Sequence, residues 1–144
     1  MFSKACEYAI RATLFIARQS IDGHRAILSD ISVGIESPLS FTSKILQQLV
    51  KAGIISSAKG KSGGFYLTSS QMREGMVSDI VALIDGDKLY TQCGLGLKEC
   101  SSVQPCPAHE RLAGIRNELK QVLETTSIHS LAVGIGEYGT FLKR

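Results

Sequence analysis

Three cysteines within fourteen residues, followed closely by a histidine, constrain the folding of this chain more than any other feature. Cys93, Cys100, Cys106 and His109 have the spacing C-x6-C-x5-C-x2-H in a stretch of small and polar residues. Thiolates bind soft metals and iron–sulfur clusters, and a segment can fold around such a group without a hydrophobic core of its own. We therefore expect the structure of this segment to depend on what it binds.

The spacing leaves several occupants open. Structural zinc sites usually pair their cysteines more closely, as C-x2–4-C, whereas an iron–sulfur cluster needs thiolates spread around a wider core. Redox-active thiols are a third option, because Lys98 and a helix N-terminus after Cys106 favour a thiolate. A disulfide would leave one of the three cysteines unpaired and would require an oxidising compartment. The chemistry ranks a cluster first, zinc second and redox thiols third.

Three thiolates leave one coordination position of a cluster unfilled. His109, one helical turn after Cys106, is the local candidate for that position. Glu7 is the distant candidate, if the first helix of a partner subunit approaches. A cluster with one non-cysteine ligand is labile, which suits a sensor. The fourth cysteine, Cys6, is predicted to be a small buried residue on the apolar face of the first helix.

The chain carries no signal for export or membrane insertion. Its longest apolar runs fall short of the roughly 20 residues of a membrane span, and its N-terminus has interleaved charges and no small-residue cleavage site. We therefore expect a cytoplasmic protein without a membrane partner. In that reducing compartment a metal or redox role for the cysteines outranks a structural disulfide.

Charge is unevenly distributed along the 144 residues. Residues 1–68 contain eight Lys or Arg against four Asp or Glu, whereas the remainder contains eight basic and nine acidic residues. A basic N-terminal half indicates contact with a polyanion.

The N-terminal half has the pattern of a helix-turn-helix. A first helix capped by Ser3 is followed by a short helix capped by Ser29, and Pro38 requires a break before a third helix over about 40–52. In a helix-turn-helix the first turn of the second helix faces the base edges of DNA; the alternative is an N-capped helix of a small bundle. The residues in that turn are Ser40, Phe41, Thr42, Ser43 and Lys44.

A basic hairpin follows the third helix. Two β-prone runs, 54–58 and 65–68, flank the sequence KGKSGG, whose glycines permit a tight connection. Lys59 and Lys61 at its tip are predicted to reach phosphates or the minor groove, as in the wing of a winged helix. A nucleotide-binding loop is excluded, because the G-x4-G-K-[ST] spacing and a following helix are missing.

The C-terminal half contains a helix over 76–85, the cysteine segment, a long helix that begins near Pro107 and a short one capped by Ser127. Apolar residues of the long helix recur at spacings of three and four, as in a coiled-coil seam. The alternative is packing against its own domain, but a small DNA-binding unit is usually doubled. The predicted dimer seam consists of Leu112, Ile115, Leu119 and Val122.

Together these features resemble the Rrf-two family of bacterial winged-helix transcription regulators. The resemblance covers essentially the whole chain and is most specific in SKACEYAIRA, in LSFTSKILQQLVKAGIISSAKGKSGGFYL and in C-x6-C-x5-C-P-x-H. It implies iron–sulfur ligation by Cys93, Cys100 and Cys106, and DNA contact from residues 40–44 and from Lys59.

The resemblance leaves the fourth ligand open. Family members with a histidine ligand have it where His109 stands, which favours a 2Fe–2S over a 4Fe–4S cluster. Members that resemble nitric-oxide sensors use an acid in the first helix of the other subunit, close to Glu7. Ser43 stands where some members have an acidic residue that sharpens base choice, so the operator sequence is not implied.

The sequence therefore predicts a mainly α protein with a small β-hairpin: a winged helix-turn-helix over 1–70, then a cluster-binding loop and a long dimerisation helix over 71–144. The predicted function is a homodimeric regulator, a repressor, whose affinity for a double-stranded DNA operator depends on a cluster that senses redox state, nitric oxide or cluster supply. A zinc-stabilised or thiol-redox-sensing DNA-binding protein is the alternative. An enzyme is not expected, because no acid/base pair, nucleophile motif or cofactor fingerprint is present.

Overall fold

The computed structural model describes residues 1–143, which form eight helices and one antiparallel hairpin. None of these helices combines the length and the apolar character that crossing a membrane requires. The helices are α1 (Lys4–Ile21), α2 (Leu28–Ile35), α3 (Leu39–Lys51), α4 (Ser69–Glu74), α5 (Val77–Asp85), α6 (Lys88–Thr91), α7 (His109–Thr125) and α8 (Ile128–Glu137); the strands are β1 (Ser56–Ala58) and β2 (Gly64–Tyr66).

Helix α1 is the centre of the fold and packs against α2, α3, α5 and α8. It begins as predicted, because the Ser3 hydroxyl accepts a hydrogen bond from the Cys6 N–H at 3.1 Å. Its buried positions include Ala9, Ala12 and Ala17, whose small side chains let neighbouring helices approach closely. One helix thus contacts elements on both sides of the boundary predicted at residue 70.

Helices α2 and α3 form the predicted helix-turn-helix. The chain leaves α2 through Glu36, which has left-handed backbone angles (φ 54°, ψ 51°), and enters α3 after Pro38. The predicted cap at Ser29 is wrong: α2 begins at Leu28, and Ile27, two residues before Ser29, occupies the N-cap position without a side-chain hydrogen bond. Burial of the α2 apolar face against α1 substitutes for the missing cap.

The wing is confirmed, with an addition that the sequence reasoning missed. Strands β1 and β2 pair antiparallel, with Ser57 opposite Phe65. Ala26 adds a third, single-residue partner: its N–H donates to the Phe65 carbonyl at 2.9 Å, and the Phe65 N–H donates back at 2.7 Å. The connection between α1 and α2 is therefore fixed to the wing.

One apolar core crosses the predicted boundary at residue 70. Met72 of the unpredicted helix α4, Ile80 of α5 and Ile128 of α8 are buried in the same cluster as the interior of α1. A division of the chain into a DNA-binding part and a regulatory part is thus a proposal about function, not about separate cores.

Candidate functional site: the cysteine segment and the nucleic-acid interface

The cysteine segment, residues 92–108, connects α6 to α7 through turns and bends. Its two ends are attached to their surroundings. Near the first end, Gly94 packs so closely on α7 that an added Cβ would lie 2.5 Å from Leu112 Cδ1. At the second end, the His109 N–H donates to the Cys106 carbonyl at 2.9 Å and opens α7.

The four predicted ligands of this segment lie as two pairs. The Cys100 Sγ is 3.5 Å from Nδ1 of His109, so the first residue of α7 faces a cysteine from the middle of the segment. Cys106 lies near enough to Cys93 to help lower the pKa of the Cys93 thiol. Residues that are up to thirteen positions apart in the sequence are therefore neighbours in space.

Arg116 links the two pairs, and sequence reasoning missed it. Its Nη2 donates to the Cys100 Sγ at 3.0 Å and its Nη1 donates to the Gln92 carbonyl at 3.0 Å. Its positive charge also acts on Cys93. The available signal was its position seven residues after His109, which places both on one face of α7.

Two of the cysteines have opposite environments. The backbone N–H groups of Leu95 and Leu97, with Cys106 and the charge of Arg116, lower the pKa of Cys93. Burial raises the pKa of Cys6 to about 12, and the Asp85 carboxylate adds to that shift. Cys6 is fully buried, as predicted. Cys93 therefore favours the ligand form, whereas Cys6 is an inert thiol of the core.

The chemistry of the donor set fits an iron–sulfur cluster. Within residues 1–143, no three His, Cys, Asp or Glu side chains converge on one metal-sized position. The two pairs nevertheless supply three thiols and an imidazole, which soft metals prefer. A cavity of about 570 Å³ borders Cys93 and Cys100, and the Arg116 Nε is buried without a partner in the described chain.

Glu7, the alternative fourth ligand, lies apart from the cysteines of its own chain. Its carboxylate accepts a hydrogen bond from Lys4 Nζ at 2.9 Å, and this ion pair lowers the pKa of Glu7. No hydrogen bond or ion pair in residues 1–143 joins it to Cys93, Cys100 or Cys106. A role for Glu7 requires a partner subunit.

The first turn of α3 divides into outward-facing and buried residues. Ser40 and Lys44 are exposed and Ser43 is partly exposed, as expected for residues that face DNA. Thr42 is fully buried, and its hydroxyl lies 2.9 Å from both the Ser37 Oγ and the Pro38 carbonyl. Thr42 therefore fixes the helix-turn-helix turn, and we remove it from the expected DNA contacts.

Phe41 is a second exception among the predicted DNA contacts. Its ring packs edge-to-face on Tyr8 of α1, with centroids 5.7 Å apart, and 38% of the residue remains exposed. This contact sets the position of the first turn of α3 relative to α1. Phe41 therefore positions the recognition helix whether or not it also touches DNA.

The wing presents the two predicted lysines and one unpredicted arginine. Lys59 and Lys61 are both exposed. The Arg25 Nη1 donates to the Ser62 carbonyl at 2.9 Å, and its guanidinium lies 5.0 Å from the centroid of the Tyr66 ring. Arg25 therefore holds the wing tip and adds a positive charge beside the lysines. Only the pairing of Ala26 with β2 brings it there, and the sequence alone gives no signal for that pairing.

The predicted dimer seam of α7 is half covered by its own chain. Leu112 packs on Gly94, and Leu119 contacts the small apolar cluster around Cys6 and Leu123. In contrast, Ile115 is 61% exposed and Val122 is 57% exposed. One apolar stripe of α7 therefore faces away from the fold.

Comparison with known proteins agrees with this arrangement. A family model described as Rrf2, "Iron-dependent Transcriptional regulator", matches residues 2–134. A putative HTH-type transcriptional regulator of Haemophilus influenzae is 30% identical over 126 residues, which cover 86% of this chain and 81% of the relative. The HTH-type transcriptional regulator IscR of Photorhabdus laumondii is 28% identical over 124 residues, covering 86% of this chain and 74% of that protein.

Solved structures share the fold. The chain is similar to CymR of B. subtilis, described as its global cysteine regulator, with a TM-score of 0.74 and 20% identity over 92% of this chain and 96% of that one. It is also similar to IscR of T. potens, with a TM-score of 0.73 and 19% identity over 97% and 91% of the two chains. The relatives are transcription regulators and not enzymes. With its winged helix, cysteine segment and long helix α7, the chain belongs to the Rrf2 (Rrf-two) family of transcription regulators.

Proposed function

We propose that this protein is a cytoplasmic, homodimeric repressor whose operator affinity depends on an iron–sulfur cluster held by Cys93, Cys100, Cys106 and His109. The observation that carries the proposal is the approach of Cys100 Sγ to His109 Nδ1, 3.5 Å apart, beside a cavity that Cys93 and Cys100 both line. The description of the family as iron-dependent supports it. A cluster would supply a group that responds to redox state, nitric oxide or cluster supply.

His109 is the favoured fourth ligand. Its Nδ1 lies 3.5 Å from the Cys100 sulfur, whereas Glu7 is paired with Lys4 and would have to come from the partner subunit. A histidine at this position favours a 2Fe–2S over a 4Fe–4S cluster, in line with the resemblance to family members that have such a ligand. We therefore expect His109→Ala to change the absorption spectrum and Glu7→Ala to leave it unchanged.

The contacts of α5 support coupling between the cysteine segment and the DNA-binding elements. The Asp85 carboxylate, at the end of α5, accepts hydrogen bonds from the backbone N–H of Ser3, at 2.8 Å, and from its hydroxyl. These bonds attach α5 to the first turn of α1, and α1 packs against α3. Ser3, Asp85 and Cys93 line one cavity of about 480 Å³, and α5 also packs against α7. Reorganisation of the segment would therefore act on α1 and through it on α3.

We propose that DNA is contacted by the exposed residues of α3 and the wing. Ser40, Ser43 and Lys44 would face base edges or phosphates in the major groove. The wing residues would contact phosphates or the minor groove, because they are exposed and basic. The wing set consists of Arg25, Lys59 and Lys61.

We propose that the dimer forms along α7. Ile115 and Val122 are more than half exposed in one chain, and burying such a stripe against a second copy is favourable. A dimer would carry two recognition helices, the number that a two-half operator requires.

Anaerobic purification with an absorption spectrum and an iron and sulfide assay tests the proposal. We expect a coloured protein with both elements, and loss of colour on changing Cys93, Cys100 or Cys106 to Ala. Cys6→Ala is the matched control, since Cys6 is buried outside the segment. Colourless protein with zinc would favour the zinc-stabilised alternative.

A thiol-redox sensor is the second candidate function, because the backbone N–H groups of Leu95 and Leu97 lower the pKa of the Cys93 thiol, with Cys106 and Arg116 adding to that shift. Their thiols would form a disulfide when an added peroxide accepts the two electrons and two protons. If purified protein lacks iron and sulfide, and peroxide produces a Cys93–Cys106 disulfide with a change in operator affinity, this candidate replaces the first.

A further inference from the structure

The guanidinium of Arg116 lies at the centre of the contacts that hold the cysteine segment. We propose that Arg116 is the positioning residue of this segment: it fixes the cysteines on α7 and offsets the negative charge of a thiolate-bound cluster. The charge-offsetting part rests on the proposed function, whereas the positioning part applies to the chain with or without a cluster.

The geometry of Arg116 supports the positioning role. One nitrogen donates to Cys100 Sγ and another to the Gln92 carbonyl, each at 3.0 Å. These two partners lie eight residues apart, near the start and in the middle of the segment. Because a guanidinium is a rigid planar fork, binding both partners fixes their separation. The other side-chain hydrogen bonds of the described segment are local to Ser101 or join Cys100 to His109. Arg116 is therefore the side chain that ties the start of the segment to its middle.

The charge of Arg116 supports the second role. Three thiolates give a bound cluster a net negative charge, and one-electron reduction makes that charge more negative. Net charge and hydrogen bonds to sulfur are among the factors that set the potential of such clusters. Arg116 supplies a hydrogen bond to Cys100 Sγ and positive charge near Cys93, so it stabilises the reduced form more than the oxidised form.

The unpartnered Nε of Arg116 also points to a ligand. This atom is buried and has no hydrogen-bond partner within residues 1–143. A buried donor without a partner is unfavourable, and an acceptor on a group bound between the two cysteine pairs would satisfy it. Arg111, an exposed arginine five positions earlier on α7, provides a control of the same residue type and helix.

The test compares full-length wild type, Arg116→Met, Arg116→Lys and the control Arg111→Met. Hydrogen–deuterium exchange of residues 92–106 is measured in cluster-free protein, and iron content, the rate of colour loss under chelator and the midpoint potential are measured after anaerobic isolation. We expect Arg116→Met to speed exchange of the segment roughly tenfold, since a charge-assisted hydrogen bond is lost. Colour loss should be faster and the midpoint potential more negative.

The conservative variant separates the two roles. Arg116→Lys keeps the charge but lacks the fork, so it should restore most of the potential while the segment still exchanges faster than in wild type. Exchange in Arg116→Met equal to that in Arg111→Met would overturn the positioning role, and an unchanged potential would overturn the charge role. If wild type contains neither iron nor sulfide, the proposed function fails, and the exchange measurement alone decides on the positioning role of Arg116.

Discussion

The interior around α1 and the cysteine segment are stabilised by different physics. Fully buried apolar residues such as Ile16, Leu46 and Ile80 pack together in the interior around α1. In the cysteine segment Leu95, Leu97 and Val103 are more than half exposed, and the structure depends on backbone turns and on Arg116. Burial of apolar side chains stabilises the first region. The second region buries few apolar side chains and gains little stability in this way.

This difference indicates which part of the protein can change shape. Regions with few buried apolar contacts open at low free-energy cost, and switching segments belong to this class. The segment can therefore open locally while the core around α1 stays folded. The Ser3–Asp85 hydrogen bonds lie at the border between the two regions, where a local change reaches the rigid part.

The largest contrast is expected in thiol reactivity. In native cluster-free protein at neutral pH, alkylation of Cys6 should be roughly a thousandfold slower than that of Cys100, because Cys6 reacts only after the core opens. Cys6 is fully buried and its pKa is raised, whereas Cys100 is partly exposed. Peptide mass spectrometry over time measures both rates. In denaturant the two rates should converge, and native rates within tenfold of each other would remove the contrast.

The loss of stability on mutation should also differ between the core around α1 and the cysteine segment. Leu46→Ala should destabilise the protein by about 3 kcal/mol, because the side chain is fully buried between α3 and α1. Cys100→Ala in cluster-free protein should change stability by no more than about 0.5 kcal/mol. Urea unfolding at one fixed protein concentration compares the two. Equal losses would mean that the segment is part of the core.

The same division explains what the sequence could predict. Helices α1, α3 and α5 and the wing were predicted nearly to their ends, because apolar periodicity, Ser3 and the glycines of the hairpin are local signals. Helices α4 and α6 were missed, since six and four residues are too short for periodicity to show. Burial of Thr42 and the pairing of Ala26 with Phe65 depend on tertiary packing.

The candidate site was predictable in its donors but not in its organisation. The types and spacing of Cys93, Cys100, Cys106 and His109 pointed to one ligand site. Which cysteine pairs with which residue, and the role of Arg116, follow from how the segment folds back on α7. Without regular secondary structure, spacing gives no rule for that path.

Gly34, on α2, tests how tightly α1 and α2 pack together. An added Cβ at Gly34 would lie 2.3 Å from the Phe15 ring, so Gly34→Ala should destabilise the protein by about 2 kcal/mol despite the better helix propensity of alanine. Gly114→Ala on α7 is the control, because nothing lies within 4 Å of its Cβ. Gly114→Ala should gain up to about 1 kcal/mol in its free energy of unfolding, because alanine has the better helix propensity. Thermal unfolding of both variants tests this prediction. A gain in stability for Gly34→Ala would show that α1 and α2 separate easily.

The smallest expected effect concerns the turn of the helix-turn-helix. Glu36 is the one non-glycine residue with positive φ within residues 1–143, and this conformation costs roughly 1–2 kcal/mol for an L-residue. Glycine removes that cost but loses roughly 0.5–1 kcal/mol of backbone entropy on folding. Glu36→Gly should therefore gain about 0.5–1 kcal/mol in urea unfolding.

Glu36→Ala is the matched control for this last variant, because it removes the same charge and keeps the Cβ. Its stability should stay close to that of wild type, since the left-handed conformation remains unfavourable. A gain shared by both variants would assign the effect to the acidic side chain next to α3 instead of the backbone. In that case operator affinity should rise in both, because an acid beside the recognition helix repels the phosphates of DNA.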